Sequence, residues 1–272
     1  MAKLILFTGK GGVGKSTTSA ATALNWASKG YKTLLVSSDP AHSTEDVLGV
    51  HVGSEPTKIS DNFYAKNIYS EIRAKKFMND MKEGMDKSFG KWFPGLDPEL
   101  LTEWASFPGM DEVFALEELL YLVQSVNYDL IVFDTAPTGH TLKALTAPDS
   151  LNTFLLRVLR MKAKMEGLKT MFIKKSDTQK LVTVLESTID KINRLKEILR
   201  NEEYVNINIV SIPTEAGYQE CIKTCNFLKS QGFTIHNIVI NNIIPSFDED
   251  TWSLANKNKA VVPYVNTNNS TK

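Results

Sequence analysis

The chain has 272 residues, 42% of them hydrophobic, and its 31 basic and 31 acidic side chains cancel. That apolar content excludes a mainly disordered chain, and zero net charge excludes a global field drawing it onto nucleic acid or anionic lipid. Cys221 and Cys225 cannot make a disulfide framework, and no apolar run reaches the ~18–20 residues that cross a bilayer, so a reducing, cytoplasmic home is expected.

In chain order, Lys3–Thr8 reads as a strand; its apolar stretch Leu4–Phe7 is too short for a signal-peptide core. A glycine-rich loop follows. Ser16–Gly30 is Ala-rich, with Leu24, Trp26 and Ala27 at helical spacing, and Lys29-Gly30 forms a helix stop. Thr33–Ser38, Asp129–Phe133, Val205–Ser211, Thr234–Ile240 and Val261–Val265 are further strands, and their near-continuous apolar character predicts cover on both faces. Strand, loop, helix and strand make a βαβ unit. The expected fold is α/β, a doubly wound, mainly parallel sheet. Lys75–Tyr128 and Leu151–Asn201 are helical in pattern, broken at Trp92–Pro98 and at Phe107-Pro108-Gly109. The organisation expected is a core of residues 1–74, 129–150 and 202–265, a helical subdomain of 75–128 and 151–201, and a frayed tail of 266–272.

Gly9-Lys10-Gly11-Gly12-Val13-Gly14-Lys15-Ser16 fits G-x-x-x-x-G-K-[ST] between a strand and a helix, the context in which that pattern binds phosphate. Glycines let backbone amides converge on phosphate oxygens, and the helix N-terminus adds its dipole. Lys15 is expected on the β- and γ-phosphates of ATP, and the Ser16 hydroxyl on magnesium. With Lys10 and Thr17 included, the loop resembles the deviant Walker A loop of the class holding MinD, ParA, nitrogenase iron protein and the ArsA ATPases. In that class the first lysine reaches the partner's nucleotide across a dimer, so the resemblance implies that Lys10 acts in catalysis in a homodimer.

Two further segments, Ser37-Ser38-Asp39-Pro40-Ala41-His42-Ser43 and Asp134-Thr135-Ala136-Pro137-Thr138-Gly139-His140-Thr141-Leu142, follow strands at their carboxyl ends, where open α/β sheets bind ligands. Together they look like switch I and switch II of the ArsA family, which includes the arsenite-pump ATPase and the ATPase that targets tail-anchored membrane proteins. By that resemblance Asp39 positions the attacking water and Asp134 holds magnesium through water, with Ser16 and Asp39 beside it. The Gly139 amide would approach the γ-phosphate. His42 and His140 are open between a role in the site and a bond to a backbone carbonyl. Asn241 matches the asparagine that reads adenine, and Ile212-Pro213-Thr214 the loop over the base, with Thr214 where the family has glutamate. Asn242 stands where the family usually has glutamine.

All methionines but the first lie in the helical stretches: Met78, Met81, Met85, Met110, Met161, Met165 and Met171. Met78, Met81 and Met85 share a helical face with Phe89, and Leu151, Leu155, Val158 and Leu159 share another. Such faces either pack a core or accept varied apolar partners. The resemblance to the targeting ATPases implies a groove for the transmembrane segment of a client, with transient membrane contact and a membrane receptor. Arg157–Lys175 carries seven basic residues against one acid and reads as a solvated face, with lipid headgroups or an acidic partner as the alternative. Cys221 and Cys225 share one helical face; a soft ion would want a third ligand, which favours packing and makes arsenite or anion transport the alternative function. A nucleotide-gated chaperone or switch with negligible hydrolysis is a second alternative. The targeting ATPases commonly carry a zinc-binding C-x-x-C pair after the adenine asparagine; no cysteine follows Asn242 here, so that resemblance implies no zinc.

Overall fold

The computed structural model describes residues 1–39, 43–69, 110–125, 127–136, 144–146, 148–149, 152–153, 156, 175–243 and 260–261. Residues 110–111, 175–182, 184–185 and 260–261 are described by their backbone alone. Two compact units emerge: Met1–Ile68 with Tyr121–His140 and Ile198–Lys272, and Tyr69–Leu120 with Thr141–Glu197.

The first unit holds an eight-stranded sheet of β1 (Lys3–Thr8), β2 (Thr33–Ser37), β3 (Thr57–Ser60), β4 (Phe63–Asn67), β5 (Leu130–Asp134), β6 (Val205–Ser211), β7 (Asn237–Ile240) and β8 (Ala260–Val261), in the order β3-β4-β2-β5-β1-β6-β7-β8. Every neighbouring pair is parallel except β3 and β4. All residues of β2 and β5 are buried, as their unbroken apolar sequences require of strands covered on both faces. Helix α1 (Lys15–Ser28) lies against the sheet through Ala20, Ala23 and Ala27, which join Phe7, Leu35, Phe63, Ala65 and Val132 in one core cluster. Alanines keep the helix backbone close to the strands. The helix ends where Gly30, at φ 91°, turns the chain and gives its N–H to Ala27 O at 2.9 Å. α2 (Ser43–Leu48) follows β2.

The hairpin of β3 and β4 was not expected from the sequence. Its strands are short and half-polar, and the turn between them uses Asn62 at φ 59°, a left-handed conformation that asparagine tolerates. β7 begins three residues later than the periodicity suggests, and only Ala260–Val261 of β8 are described.

The helical character expected of the insertions holds where they are described: α3 (Met110–Gln124) and α4 (Lys175–Leu199). Within the second unit, Val113, Leu116 and Leu119 are buried on α3, and Thr188, Ile189, Ile192 and Leu195 on α4. Glu117, only 6% exposed, meets Lys191 Nζ at 3.4 Å. Met110 opens α3. Met78, Met81, Met85, Leu155, Met161, Met165 and Met171 lie outside the described residues. Among the described residues, no helix is long and apolar enough to cross a membrane. A fifth helix, α5 (Glu215–Ser230), joins β6 to β7.

Candidate nucleotide and metal site

Parallel pairing aligns the carboxyl ends of three strands: Phe7 of β1 and Ser37 of β2 both register with Asp134 of β5. The loop Gly9–Gly14 leaves β1 at this edge and enters α1. Gly9, at φ 146°, passes so close to β6 that a Cβ would sit 2.2 Å from Val210 O. Gly12 and Gly14, at φ 77° and 90°, hold left-handed turns that bend the loop back upon the helix N-terminus. Val13 is buried and Gly11 exposed. The loop is therefore a shaped backbone cradle, in which glycine is required at both ends.

Lys15, the first residue of α1, is 6% exposed and gives a hydrogen to the Lys10 carbonyl at 3.1 Å. Burial lowers its pKa, opposed by the negative charges of Asp134 and Asp39. Lys10 itself has an exposed side chain. Thr17 is exposed too, while Thr18 gives both its backbone N–H, at 2.9 Å, and its hydroxyl, at 2.8 Å, to Gly14 O.

Asp134 is completely buried, and neither carboxylate oxygen completes a hydrogen bond. Burial pushes its pKa up to about 6, with the nearby Ser16 hydroxyl and Lys15 ammonium pulling it down and Asp39 adding to the rise. A buried acid with two orphaned oxygens, beside a serine hydroxyl and a lysine at the foot of a glycine cradle, suits a hydrated divalent cation and a phosphate chain. Asp39, half-buried, ends the turn after β2; its N–H bonds to Ser37 Oγ at 3.2 Å. Ser43 Oγ donates to Asp39 Oδ2 at 2.6 Å and lies 2.7 Å from Ser16 Oγ. Ser38 ties the two strand ends: its N–H bonds to Asp134 O at 3.1 Å, and its Oγ accepts from Ala136 N at 3.2 Å.

On the other side of the loop, Asn241 follows β7 and its Nδ2 donates to Val13 O at 2.9 Å. A Cβ on Gly14 would lie 2.1 Å from that same nitrogen. One amide donor of the expected base reader is thus used on the loop, leaving the other hydrogen and the oxygen for a ligand. Asn242 sits at φ 57°, a conformation open to asparagine and unfavourable for the glutamine usual in the family. Pro213 is buried. Thr214 caps α5, its Oγ1 accepting from Gly217 N at 3.1 Å, and Glu215 bonds Gln219 at 2.7 Å. The threonine in place of glutamate therefore has a capping task.

The model of the anion-transporting ATPase family, ArsA, matches residues 2–267. The chain belongs to this family. Relatives include a "Putative arsenical pump-driving ATPase" of Chlorobaculum tepidum, 29% identical over 89% of this chain and 61% of that one. An "ATPase ASNA1 homolog" of Plasmodium vivax is 34% identical over 91% of this chain and 65% of that protein. An "ATPase ASNA1 homolog 1" of Paramecium tetraurelia is 31% identical over 93% and 78%. The chain spans about three-fifths of the length of several curated relatives it matches.

In this ArsA family member the described site gathers Gly9 to Ser16, Asp39, Asp134 and Asn241 at one sheet edge. Pro213 lies at the β6–α5 connection. Pro40, Ala41, His42, Gly139 and His140 fall outside the described residues. Sequence reasoning missed Ser38 and Ser43. Their only signal was position, since both flank the aspartate of the first switch within S-S-D-P-A-H-S.

Proposed function

We propose that this chain is a magnesium-dependent ATP hydrolase that works as a homodimer and uses its nucleotide cycle to bind and deliver the transmembrane segments of tail-anchored proteins. The observation carrying the ATPase reading is the unpartnered Asp134 carboxylate, held beside Ser16 and Lys15 at the glycine cradle. Magnesium, when bound, would neutralise charge on the transferring phosphoryl group. Lys15 would hold the phosphates, Ser16 and Asp134 the cation, and Asp39 would orient the attacking water. Lys10, its side chain exposed, is free to extend to the nucleotide of a second copy. The targeting task is supported by the relatives named as ASNA1 homologues and by the methionines gathered in the segments whose sequence pattern is helical.

Asp39→Asn tests the chemistry: turnover should fall at least ~100-fold with ATP binding retained, as loss of a water-positioning group implies. Unchanged turnover would refute the assignment of Asp39. The task is tested by incubating the purified protein, with magnesium and ATP, with a tail-anchor peptide that aggregates alone. Retention of the peptide in solution is expected, and its precipitation would remove the targeting reading. The second reading, arsenite or anion transport, rests on the family description and on the relatives named as arsenical pump drivers. Stimulation of ATP turnover by trivalent arsenic, lost in Cys221→Ala, would favour it.

A further inference from the structure

We propose that Ser43 is a positioning residue that couples the metal-side hydroxyl of Ser16 to the water-positioning carboxylate of Asp39, an inference that rests on the ATPase reading above. Three side chains form one short chain of hydrogen bonds: Ser16 Oγ to Ser43 Oγ at 2.7 Å, and Ser43 Oγ to Asp39 Oδ2 at 2.6 Å. They come from three elements, the first turn of α1, the start of α2 and the turn after β2.

Proton counting orders this chain. A serine hydroxyl has one hydrogen and two lone pairs, whereas an ionised carboxylate only accepts. The single Ser43 hydrogen is committed to Asp39, so Ser43 receives rather than gives in its contact with Ser16. Ser43 is therefore an acceptor for the Ser16 hydrogen, in competition with the nearby Asp134 carboxylate, and when that hydrogen goes to Ser43 the Ser16 lone pairs are left to meet a cation. Without that acceptor, the most available alternative for the Ser16 hydrogen is the buried Asp134 carboxylate, whose oxygens complete no bond here. The hydroxyl of Ser43 thus does two things at once. It holds Asp39 in one orientation, through the short charge-assisted bond, and it orients Ser16 for metal ligation. Because the same oxygen serves both, the geometry of the water-positioning acid and the readiness of the metal ligand change together. Ser38 has no such part, since its hydroxyl is engaged with the backbone of β5 and Ala136.

The decisive comparison is Ser43→Ala against Ser43→Thr, with wild type as reference. Steady-state turnover should show kcat lowered ~10- to 100-fold in the alanine variant with KM for ATP within about twofold, the pattern of lost positioning. The threonine variant keeps the hydroxyl and should recover kcat to within about threefold of wild type. A second measurement needs no turnover: titration of a fluorescent ADP with magnesium and with EDTA. The enhancement of affinity by magnesium should shrink about fivefold or more in Ser43→Ala and persist in Ser43→Thr, as expected when a metal ligand loses its orienting partner. Ser43→Ala matching wild type in both kcat and magnesium enhancement overturns the proposal. So does Ser43→Thr as impaired as Ser43→Ala, provided its thermal midpoint matches wild type. If Ser43→Ala melts early, Ser43→Thr and the magnesium ratio carry the test. A wild-type protein that binds magnesium-ADP but turns over no ATP would refute the hydrolase reading instead, and the magnesium ratio would still judge Ser43.

Discussion

Asp134→Asn should make the nucleotide-free protein more stable at neutral pH while removing its response to magnesium. The carboxylate is fully buried, its oxygens lack hydrogen-bond partners, and its pKa is pushed from 3.8 to about 6, chiefly by burial. A rise of that size is worth about 3 kcal/mol. The sign follows from which state holds the proton more tightly. Below pH 3.8 the folded and unfolded chains both carry it, and the buried group exacts no penalty. As pH rises through about 6 the unfolded chain has already ionised, and the folded one must place a charge in an apolar strand end, so stability is lost. Asparagine removes the charge at nearly constant volume but brings amide hydrogens that also need partners, which reduces the expected gain to about 1–3 kcal/mol. Urea denaturation in EDTA, followed by circular dichroism, should place the variant above wild type at pH 7.5, with the difference closing towards pH 4. Magnesium with ADP should stabilise wild type much more than the variant. A variant equal to or weaker than wild type at pH 7.5, or a difference indifferent to pH, would show that the carboxylate is not an uncompensated charge.

Gly9→Ala should lose nucleotide binding with the sheet retained: its Cβ would stand 2.2 Å from Val210 O, and backbone must move to relieve it, a strain of about 1–3 kcal/mol readable as a lowered thermal midpoint. Asn241→Ala removes the bond to Val13 O and should weaken ATP-analogue binding up to ~10-fold, the worth of about one neutral hydrogen bond, by fluorescence titration. Cys225 should titrate as a thiolate near neutrality. Its hydrogen bond with Cys221, helped by the Lys229 charge and opposed by burial, lowers its pKa from 9 to about 7. Alkylation by iodoacetamide should accelerate through about pH 7 in wild type and only at higher pH in Cys221→Ala, monitored by mass spectrometry of the peptide.

The parts of the fold legible from sequence were those whose physics is local. β1, β2 and β5 announce themselves by near-continuous apolar runs, because strands covered on both faces have no polar side to alternate, and β6 by its β-branched residues despite Asn206 and Asn208. The cradle was legible because glycine is demanded by backbone angles at Gly12 and Gly14 and by contact at Gly9. The hairpin of β3 and β4 was not, since Thr57–Ser60 alternates weakly and takes its place from pairing with β4, which in turn pairs with β2. Asp61-Asn62 forms the turn, but the polar residues around it leave the flanking strands without an apolar pattern to mark them. Ser43 shows the other kind of opacity. Nothing in its identity distinguishes it from a solvated serine, and its role exists only because the start of α2 returns to the N-terminus of α1, 27 residues earlier in the chain. Asn241 was legible as a candidate for the site, but its bond to Val13 O required the distance across the loop, which no spacing in the sequence encodes.

The costs borne by the site explain one another. Lys15 and Asp134 are both buried, and burial drives their pKa values in opposite directions, each toward neutrality. Their fields favour one another, yet the lysine hydrogen bond goes to Lys10 O and the carboxylate keeps its oxygens unbonded. A well-packed apolar pair at these positions would make a more stable nucleotide-free protein. On the proposed ATPase reading, what the charged pair would provide is complementarity to a ligand that carries both signs, a phosphate chain for the lysine and a hydrated cation for the acid. The register of β5 between β1 and β2 keeps the acid buried at the strand ends, away from solvent. Asp39 adds to the cost of that burial by its own charge, and the hydroxyl of Ser43 holds Asp39 there. Loosening Ser43 should therefore relax the penalty on Asp134 as well as the aim of Asp39, which is why the magnesium dependence of binding and the turnover number should fall in the same variant.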